Sequence, residues 1–266
     1  MLYRRKATVV FCSATLRVGS SFGYISRRLG IDRLEPDRLL TCVAASPFDY
    51  LTQCAALAPF FLPEPTGLAG GAYAEQLSGL MLDVFTRTRG RAMGLFTSYE
   101  MMNRVARLLE EPLQEAGIRL LVHGANGSRD QITRIFRAGG GCVLLGTHSF
   151  WEGVDVAGEA LSCVVMARLP FAAVNDPIVE ARCEQIEDAG GSAFREFSLP
   201  QAVIRFRQGF GRLIRTRADR GVVIIADPRV VTKPYGATFR KSLPCPVLRV
   251  ETREELLRRV DALFAD

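Results

Sequence analysis

Short, unbroken apolar runs alternate with amphipathic segments along most of this chain of 266 residues. The apolar runs are rich in β-branched residues and predict strands, whereas the segments with a 3.6-residue period predict helices. Strands are predicted over 7–12, 39–45, 92–96, 119–122, 142–146, 161–167 and 221–226, helices over 72–88, 100–116, 176–188, 200–215 and 253–264, and a Pro/Gly-rich loop over 58–71. This alternation predicts an α/β protein with a mainly parallel sheet and helices on both faces.

The composition fits a folded protein of a reducing compartment, for which we expect the cytoplasm. Apolar residues make up 48% of the chain, enough for a full core, and the net charge of +6 comes from arginine because lysine occurs only three times. This basic balance favours polyanionic partners without requiring them. The seven cysteines never form C-x-x-C and there are only two histidines, so no zinc pattern is present.

The first residues allow two interpretations. Arg4, Arg5 and Lys6 precede an apolar stretch, as in a short signal peptide. Residues 8–11 also have the pattern of a buried strand, which is the interpretation adopted here. No apolar stretch reaches the ~20 residues that span a bilayer, and the longest, 161–174, contains Arg168. We therefore expect no membrane partner.

The predicted helix over 200–215 has a polar face made of chemically related residues. Gln208, Gly211, Arg212 and Arg215 are spaced i, i+3, i+4 and i+7, which places them on one side of a helix. Two guanidinium groups one turn apart, with a glycine leaving space beside them, suit an anion with several oxygens, such as a triphosphate. A basic surface helix paired with acidic neighbours would give the same pattern.

Small hydroxyl residues and glycines follow three of the predicted strands. Ser13-Ala14-Thr15 follows the first strand, Thr97-Ser98 follows the strand over 92–96, and Gly146-Thr147 ends the strand over 142–146. Ligands of open parallel sheets bind at the carboxyl ends of the strands, where such residues donate to phosphates. Each of these groups alone is better explained by capping and turn formation. Their recurrence at three strand ends favours a phosphate ligand.

These residues lie within longer segments that resemble a known family. Ser13 to Thr15, Phe96 to Ser98, 146–158 and Gln208 to Arg215 resemble helicase motifs III, IV, V and VI of superfamily 2, in that order. The sequences SFWEGVDVAGEAL (149–161), RLPF (168–171), DPIVEAR (176–182), LPQAVIRFRQGFGRLIR (199–215) and DRGVVIIADPR (219–229) are similar to the DinG/XPD-type helicases, and most of all to bacterial DinG. The resemblance runs from about residue 7 to 244. It implies a single RecA-like domain over 1–266, the second such domain of a 5′-to-3′ DNA helicase.

The resemblance implies a role in ATP hydrolysis for one group of residues. Arg212 and Arg215 would contact the γ-phosphate, one of them as an arginine finger, and Gln208 would orient the water or the γ-phosphate. Nucleotide contacts are also implied for Gly211, which lies beside Arg212, and for three residues of motif V, namely Glu152, Gly153 and Asp155.

A second group is implied in DNA handling. Single-stranded DNA would be held through its phosphates by Thr97, Ser98, Gly146 and Thr147, while Ser13, Ala14 and Thr15 would couple domain closure to strand movement. Phe150 and Trp151 could stack on a base, or Trp151 could be a buried residue that stabilises the loop.

The remaining parts of such an enzyme are expected in another domain. This sequence contains no G-K-[ST] and no cluster-forming cysteine spacing. ATP and Mg²⁺ would therefore be bound mainly through a first RecA-like domain, present in cis or in trans, which would also hold the iron–sulfur cluster of the family. Two departures from the family pattern, Cys12 and His148, do not affect a core motif position.

Two other functions stay open at this stage. The chain could be a non-catalytic nucleic-acid-binding remnant or interaction module of the same fold. It could also be a small-molecule enzyme in which Gly139-Gly140-Gly141 binds phosphate, although that triplet precedes a strand and no helix start follows it.

Overall fold

The computed structural model describes residues 2–65, 70–152, 161–173 and 176–265, and within them the chain builds one sheet of seven strands. The strands are β1 (Cys54–Pro59), β2 (Ala92–Leu95), β3 (Arg119–Val122), β4 (Cys142–Gly146), β5 (Cys163–Met166), β6 (Gly221–Ile225) and β7 (Val247–Val250). Their order is β3-β4-β2-β5-β6-β1-β7, and every neighbouring pair is parallel. The predicted parallel sheet is confirmed.

Successive residues of the strands point into two separate cores, one on each face of the sheet. In β6, Val223 and Ile225 pack into the first core, whereas Val222 and Ile224 pack into the second. Helices cover both faces, as predicted. Those with residues in the first core are α6 (Arg129–Arg137), α7 (His148–Trp151), α9 (Leu199–Phe210), α10 (Arg229–Thr232) and α11 (Gly236–Arg240), and those in the second are α4 (Gly70–Arg87), α5 (Tyr99–Glu115) and α12 (Arg253–Phe264).

Most long helices begin at a residue whose side chain satisfies the free backbone N–H groups of the first turn. Ser98 accepts from the Met101 N–H at the start of α5, and Thr252 does the same for Glu255 in α12. Asp176 caps α8 (Pro177–Asp188), and Ser128 forms a reciprocal capping box with Gln131 in α6. These local signals explain why the predicted starts of α5, α8 and α12 agree with the structure to within about one residue.

The helix predicted over 200–215 ends early. It stops at Phe210, and Gly211 begins an irregular loop that reaches to β6. After Gly211 the backbone bonds elsewhere, because the Asp219 carboxylate accepts from the N–H groups of Arg215 and Thr216, while Leu213 and Ile214 are buried in the first core. Gln208 is therefore on the helix but Arg212 and Arg215 are in the loop, so the predicted alignment of all three on one helical face is wrong.

The strands predicted over 7–12 and 39–45 are also wrong in this structure. Both segments lack regular secondary structure and pair with no strand of the sheet, and large apolar side chains such as Val10, Leu40 and Val43 are exposed. Together with α2 (Gly23–Leu29) they line an open groove of about 560 Å³. Strand-forming sequence becomes a strand only where a neighbouring strand accepts its hydrogen bonds.

Several elements were not predicted from the sequence. The edge strand β7 is only four residues long, and β1 overlaps the predicted loop over 58–71 at its last two residues. Short helices were missed as well, namely α1 (Leu2–Arg5), α2, α3 (Tyr50–Gln53), α7, α10 and α11, together with the longer α6. None of the short ones contains enough turns to show a helical period.

We predict that Gly94→Ala destabilises the fold by about 1–3 kcal/mol. Gly94 lies in β2, and an added Cβ would stand 2.6 Å from Leu145 Cδ2 and 3.1 Å from both Met81 and Phe96. Gly79→Ala is the matched control, because in α4 the new Cβ meets only the end of the Arg253 side chain at 3.6 Å. Urea unfolding should show a loss for the first variant and no loss for the second. Equal stability of both would contradict the described packing of β2.

Candidate functional site

Three adjacent strands end side by side and bring polar residues together at the carboxyl edge of the sheet. In the order β3, β4, β2 these strands are followed by His123, Thr147 and Thr97. All residues of β2 and β4 are buried, so the strand ends are the first positions at which polar side chains can meet solvent. The edge where the sequence predicts a ligand site is therefore polar, as expected.

His123 is at the centre of this edge, and sequence reasoning missed it. Its Nδ1 lies 3.1 Å from Thr147 Oγ1 and 3.2 Å from the Tyr99 hydroxyl, and its ring contacts the ring of Phe150. Burial, and then the positive charge of Arg129, lower the pKa of His123. The imidazole is thus expected to be neutral at pH 7, held between two hydroxyl groups. Its position directly after a strand, like that of Thr97, is the signal that could have revealed it.

Three of the other residues predicted at this edge have contacts that stabilise the fold. Thr147 is buried and its hydroxyl contacts His123, while the Ser98 hydroxyl caps α5. Gly146 is required by packing, because a Cβ there would lie 2.5 Å from the ring of Phe150. Thr97 is half-buried. Direct phosphate contact by these four residues stays a prediction.

Glu152 lies between two arginines from different helices. Its backbone carbonyl accepts a hydrogen bond of 2.8 Å from Arg129 at the start of α6, and its carboxylate is 3.7 Å from Arg205 of α9. The carboxylate side chain is half exposed. Gly153 and Asp155, the other residues predicted in this motif, lie outside the described residues.

Arg212 is almost completely buried, with 5% of its surface exposed. Its Nη2 donates to the Trp151 carbonyl at 2.7 Å, and the Trp151 indole N–H donates to the Phe96 carbonyl at 2.9 Å. Phe150 and Trp151 are buried too, so base stacking by these two rings is wrong in this structure and the buried-tryptophan alternative is confirmed. The result is a chain of hydrogen bonds from the loop after α9 to the end of β2.

Arg207 connects the first predicted motif to α9. Its guanidinium donates to the Arg17 carbonyl at 2.7 Å and to the Ala14 carbonyl at 3.0 Å. In the same segment the hydroxyls of Ser13 and Thr15 are 3.3 Å apart and exposed. Burial, and then the charge of Arg17, lower the pKa of Arg207. Arg207 was not among the site residues predicted from the sequence, because this contact joins segments that are 190 residues apart.

Asp219 organises the loop that carries Arg212 and Arg215. Its Oδ2 accepts from the backbone N–H groups of Arg215 and Thr216, both at 2.8 Å, and its Oδ1 accepts from the Thr216 hydroxyl at 2.7 Å. From the other side, the Gln53 amide donates to the carbonyls of Thr216 and Asp219. The loop is therefore fixed by its own carboxylate and by α3.

Three buried side-chain oxygens have no hydrogen-bond partner among the residues that the structure describes. They are Ser149 Oγ, Gln201 Oε1 and Gln208 Oε1. A buried polar atom without a partner is costly, so such atoms are commonly completed by a ligand or by water.

The glycine triplet is not at the ligand edge. Gly139, Gly140 and Gly141 all have positive φ and form the turn from α6 into the amino end of β4, opposite the carboxyl edge. Over the described ranges no three His, Cys, Asp or Glu side chains are grouped as a metal site would require. In the same ranges no helix has the length and apolar character to cross a bilayer.

Comparison with known families identifies the class of protein. Residues 81–245 match the helicase C-terminal domain family. The chain is 40% identical over 243 residues to the ATP-dependent DNA helicase YoaA of Haemophilus influenzae, covering 91% of this chain and 36% of that protein. It is 34% identical over 255 residues to the 3′-5′ exonuclease DinG of Bacillus subtilis, covering 96% of this chain and 27% of that protein. The chain therefore belongs to the helicase C-terminal domain family of DinG/XPD-type helicases.

Solved structures agree on the fold. Xpd4 of S. tokodaii superposes with a TM-score of 0.53 over 74% of this chain and 38% of that one, at 18% identity. An XPD helicase superposes with a TM-score of 0.56 over 74% of this chain and 35% of that one, at 17% identity. The RecA-like fold predicted from the resemblance is thus confirmed. The chain spans about a third of the length of the relatives named above.

We predict that Asp219→Asn destabilises the protein by about 0.5–1.5 kcal/mol at pH 7, because it weakens hydrogen bonds to a charged group that is partly screened by solvent. Burial alone would raise the pKa of Asp219, but the hydrogen bonds from Thr216 and from the backbone of Arg215 hold it below its ordinary value. Since the folded-state pKa is depressed, this stabilisation is present above the unfolded-state pKa and disappears as pH falls through the folded-state pKa.

Urea unfolding of the wild type and of Asp219→Asn at pH 7 and at pH 3 measures this effect. The difference in unfolding free energy should shrink at the lower pH. Asp188→Asn, at the exposed end of α8, is the control and should change little at either pH. A difference that stays constant with pH would show that the carboxylate charge is unimportant for the loop.

Proposed function

We propose that this chain is the C-terminal half of an ATP-dependent 5′-to-3′ DNA helicase, which supplies motifs III to VI for ATP hydrolysis and for translocation on single-stranded DNA. The observation that carries the proposal is the hydrogen-bonded path from Arg212 through Trp151 to the Phe96 carbonyl. This path joins the loop over 211–220, called the arginine loop because it carries Arg212 and Arg215, to the residue that precedes Thr97. A change at the nucleotide can thereby reach the edge of the sheet that would hold DNA.

The nucleotide side of the proposal rests on the end of α9 and the loop after it. Arg215 and Arg212 would stabilise the charge that develops on the γ-phosphate, and the unpaired Oε1 of Gln208 would accept from the attacking water. Glu152, Gly153, Asp155 and Gly211 would line the nucleotide. Mg²⁺, the P-loop and the iron–sulfur cluster would come from a first RecA-like domain, because this sequence has no G-K-[ST].

The DNA side rests on the carboxyl ends of β2, β3 and β4. Thr97, Ser98, Gly146 and Thr147 would form the floor of the site. The half-exposed ring of Tyr99 offers a stacking surface beside His123, and Arg129 offers a positive charge at the start of α6. Stacking on aromatic rings together with phosphate contacts is the usual way of binding single strands without sequence preference.

The partner of the segments over 7–12 and 39–45 would be the first RecA-like domain. These segments have strand-forming sequence and exposed apolar side chains, but they pair with no strand of the sheet described above. Addition to the edge of a second sheet would pair their backbone groups and cover the groove. Ser13, Ala14 and Thr15 follow directly, and Arg207 ties this segment to α9. This arrangement would couple the two domains.

We predict that Arg212→Ala and Arg215→Ala each lower DNA-stimulated ATP turnover of the complete enzyme by about 10³–10⁵. Lysine should restore little activity, because an ammonium group cannot form two parallel hydrogen bonds to phosphate. Arg217→Ala, an exposed change in the same loop, is the matched control and should leave turnover near the wild-type value.

Circular dichroism and thermal unfolding separate a folding defect from a catalytic one. This matters most for Arg212, which also holds the Trp151 carbonyl. Arg215→Ala is therefore the decisive variant. If it folds normally and turns over ATP as fast as Arg217→Ala does, the nucleotide role of this loop is wrong.

We also predict weak binding of single-stranded DNA that falls steeply with salt. About two to four phosphate contacts would give a slope of log K against log salt near −0.7 per contact. Arg129→Ala should reduce that slope by about one contact. Arg134→Ala, farther along the exposed side of α6, should not. Fluorescence anisotropy titrations with an oligothymidine at several salt concentrations measure the slope, and a flat response would rule out this DNA site.

A further inference from the structure

Two cysteines from distant parts of the chain meet at the edge of the sheet. Cys54 begins β1, and Cys245 lies two residues before β7. These strands are parallel neighbours in which Ala56 pairs with Val247, so the two cysteines fall side by side. Their Sγ atoms are 3.5 Å apart, although the residues are 191 positions apart in sequence.

The surroundings of the two thiols differ in a way that assigns them different roles. The Cys54 thiol is directed at Cys245 Sγ and also lies 3.1 Å from the Tyr50 carbonyl. The hydrogen bond from Cys54 lowers the pKa of Cys245 against the effect of burial, while the same bond and burial raise the pKa of Cys54. The Tyr50 carbonyl accepts from the Cys54 thiol and so favours its protonated form, which leaves Cys245 as the thiol that forms the reactive thiolate.

We propose that Cys245 and Cys54 form a peroxide-sensitive thiol pair that closes to a disulfide. The Cys245 thiolate attacks one oxygen of hydrogen peroxide, the O–O bond breaks, and the leaving hydroxide takes up a proton to become water. The Cys54 sulfur then attacks Sγ of the resulting sulfenic acid, and the displaced hydroxide takes the Cys54 proton. Two thiols are oxidised by two electrons, and one peroxide is reduced to two waters.

The burial of the pair fits a small oxidant. Cys54 and Cys245 are 6% and 5% exposed, whereas Cys163 in the middle of β5 is 0% exposed. The Sγ atoms have to approach by about 1.5 Å to reach the length of a disulfide bond. Cys54 pairs with Gly221 at the start of β1, whereas Cys245 precedes β7, so the sheet constrains the backbone of Cys245 less than that of Cys54.

Formation of the disulfide would change the contacts that hold the loop with Arg212 and Arg215. The disulfide removes the thiol proton that Cys54 presents to the Tyr50 carbonyl. Tyr50 packs against Phe210 at the end of α9, and the adjoining Gln53 holds the loop through two carbonyl groups. We therefore expect oxidation to loosen residues 211–220.

The experiment uses the 266-residue chain with Cys12, Cys42 and Cys183 replaced by serine, because these three are the more exposed cysteines. The protein is treated with hydrogen peroxide, blocked with N-ethylmaleimide, digested without reduction and analysed by mass spectrometry. A linked peptide pair containing Cys54 and Cys245 in a monomeric protein supports the proposal. Absence of that pair at peroxide levels that oxidise Cys142 or methionine overturns it.

Two further variants test the separate roles. In Cys54→Ala a sulfenic acid on Cys245 has no partner thiol, so dimedone labelling of Cys245 should exceed that of Cys245 in the parent, where Cys54 closes the disulfide. Equal labelling of Cys245 in the variant and in the parent would overturn the resolving role of Cys54. Hydrogen exchange of residues 211–220 should speed up when the parent is oxidised. It should stay unchanged when Cys245→Ala receives the same treatment, because that variant cannot form the disulfide. Unchanged exchange in the parent would overturn the link to the arginine loop.

Discussion

Burial of both faces of the parallel sheet is the constraint on which the rest of this structure depends. Every residue of β2, β4, β5 and β6 is buried, and the two cores alternate along each strand. Polar chemistry is therefore confined to the strand ends and to the solvent side of the covering helices. This is why His123, Thr147 and Thr97 meet at one edge.

Arginine side chains that donate to backbone carbonyls then tie the loops to this framework. Arg212 binds the Trp151 carbonyl, Arg129 binds that of Glu152, and Arg207 binds that of Ala14. A guanidinium can donate up to five hydrogen bonds, so it can hold a loop and still have donors for a ligand. The excess of arginine over lysine in the sequence thus has a structural use in addition to its electrostatic one.

The sequence predicted the regular part of the fold well, because β3, β4 and α12 have clear periods or apolar runs and sharp boundary signals. It failed over 7–12 and 39–45, where local strand propensity has no neighbouring strand in the described fold. It also extended α9 beyond Phe210, since the hydrogen bonds from the backbone of Arg215 and Thr216 to the Asp219 carboxylate are not visible in a helical period. At the site, the motifs pointed to Arg212 and Thr147. His123 and Arg207 were missed because their roles arise only from contacts between distant segments.

A divided ATP site is most directly tested by measuring ATP hydrolysis by this chain alone and by the complete enzyme, each with and without single-stranded DNA. The chain alone provides arginines but no P-loop lysine, so it should hydrolyse ATP at the background rate, whereas the complete enzyme should be stimulated by DNA. ATP turnover by the purified chain alone that is lost in Arg215→Ala would contradict the account.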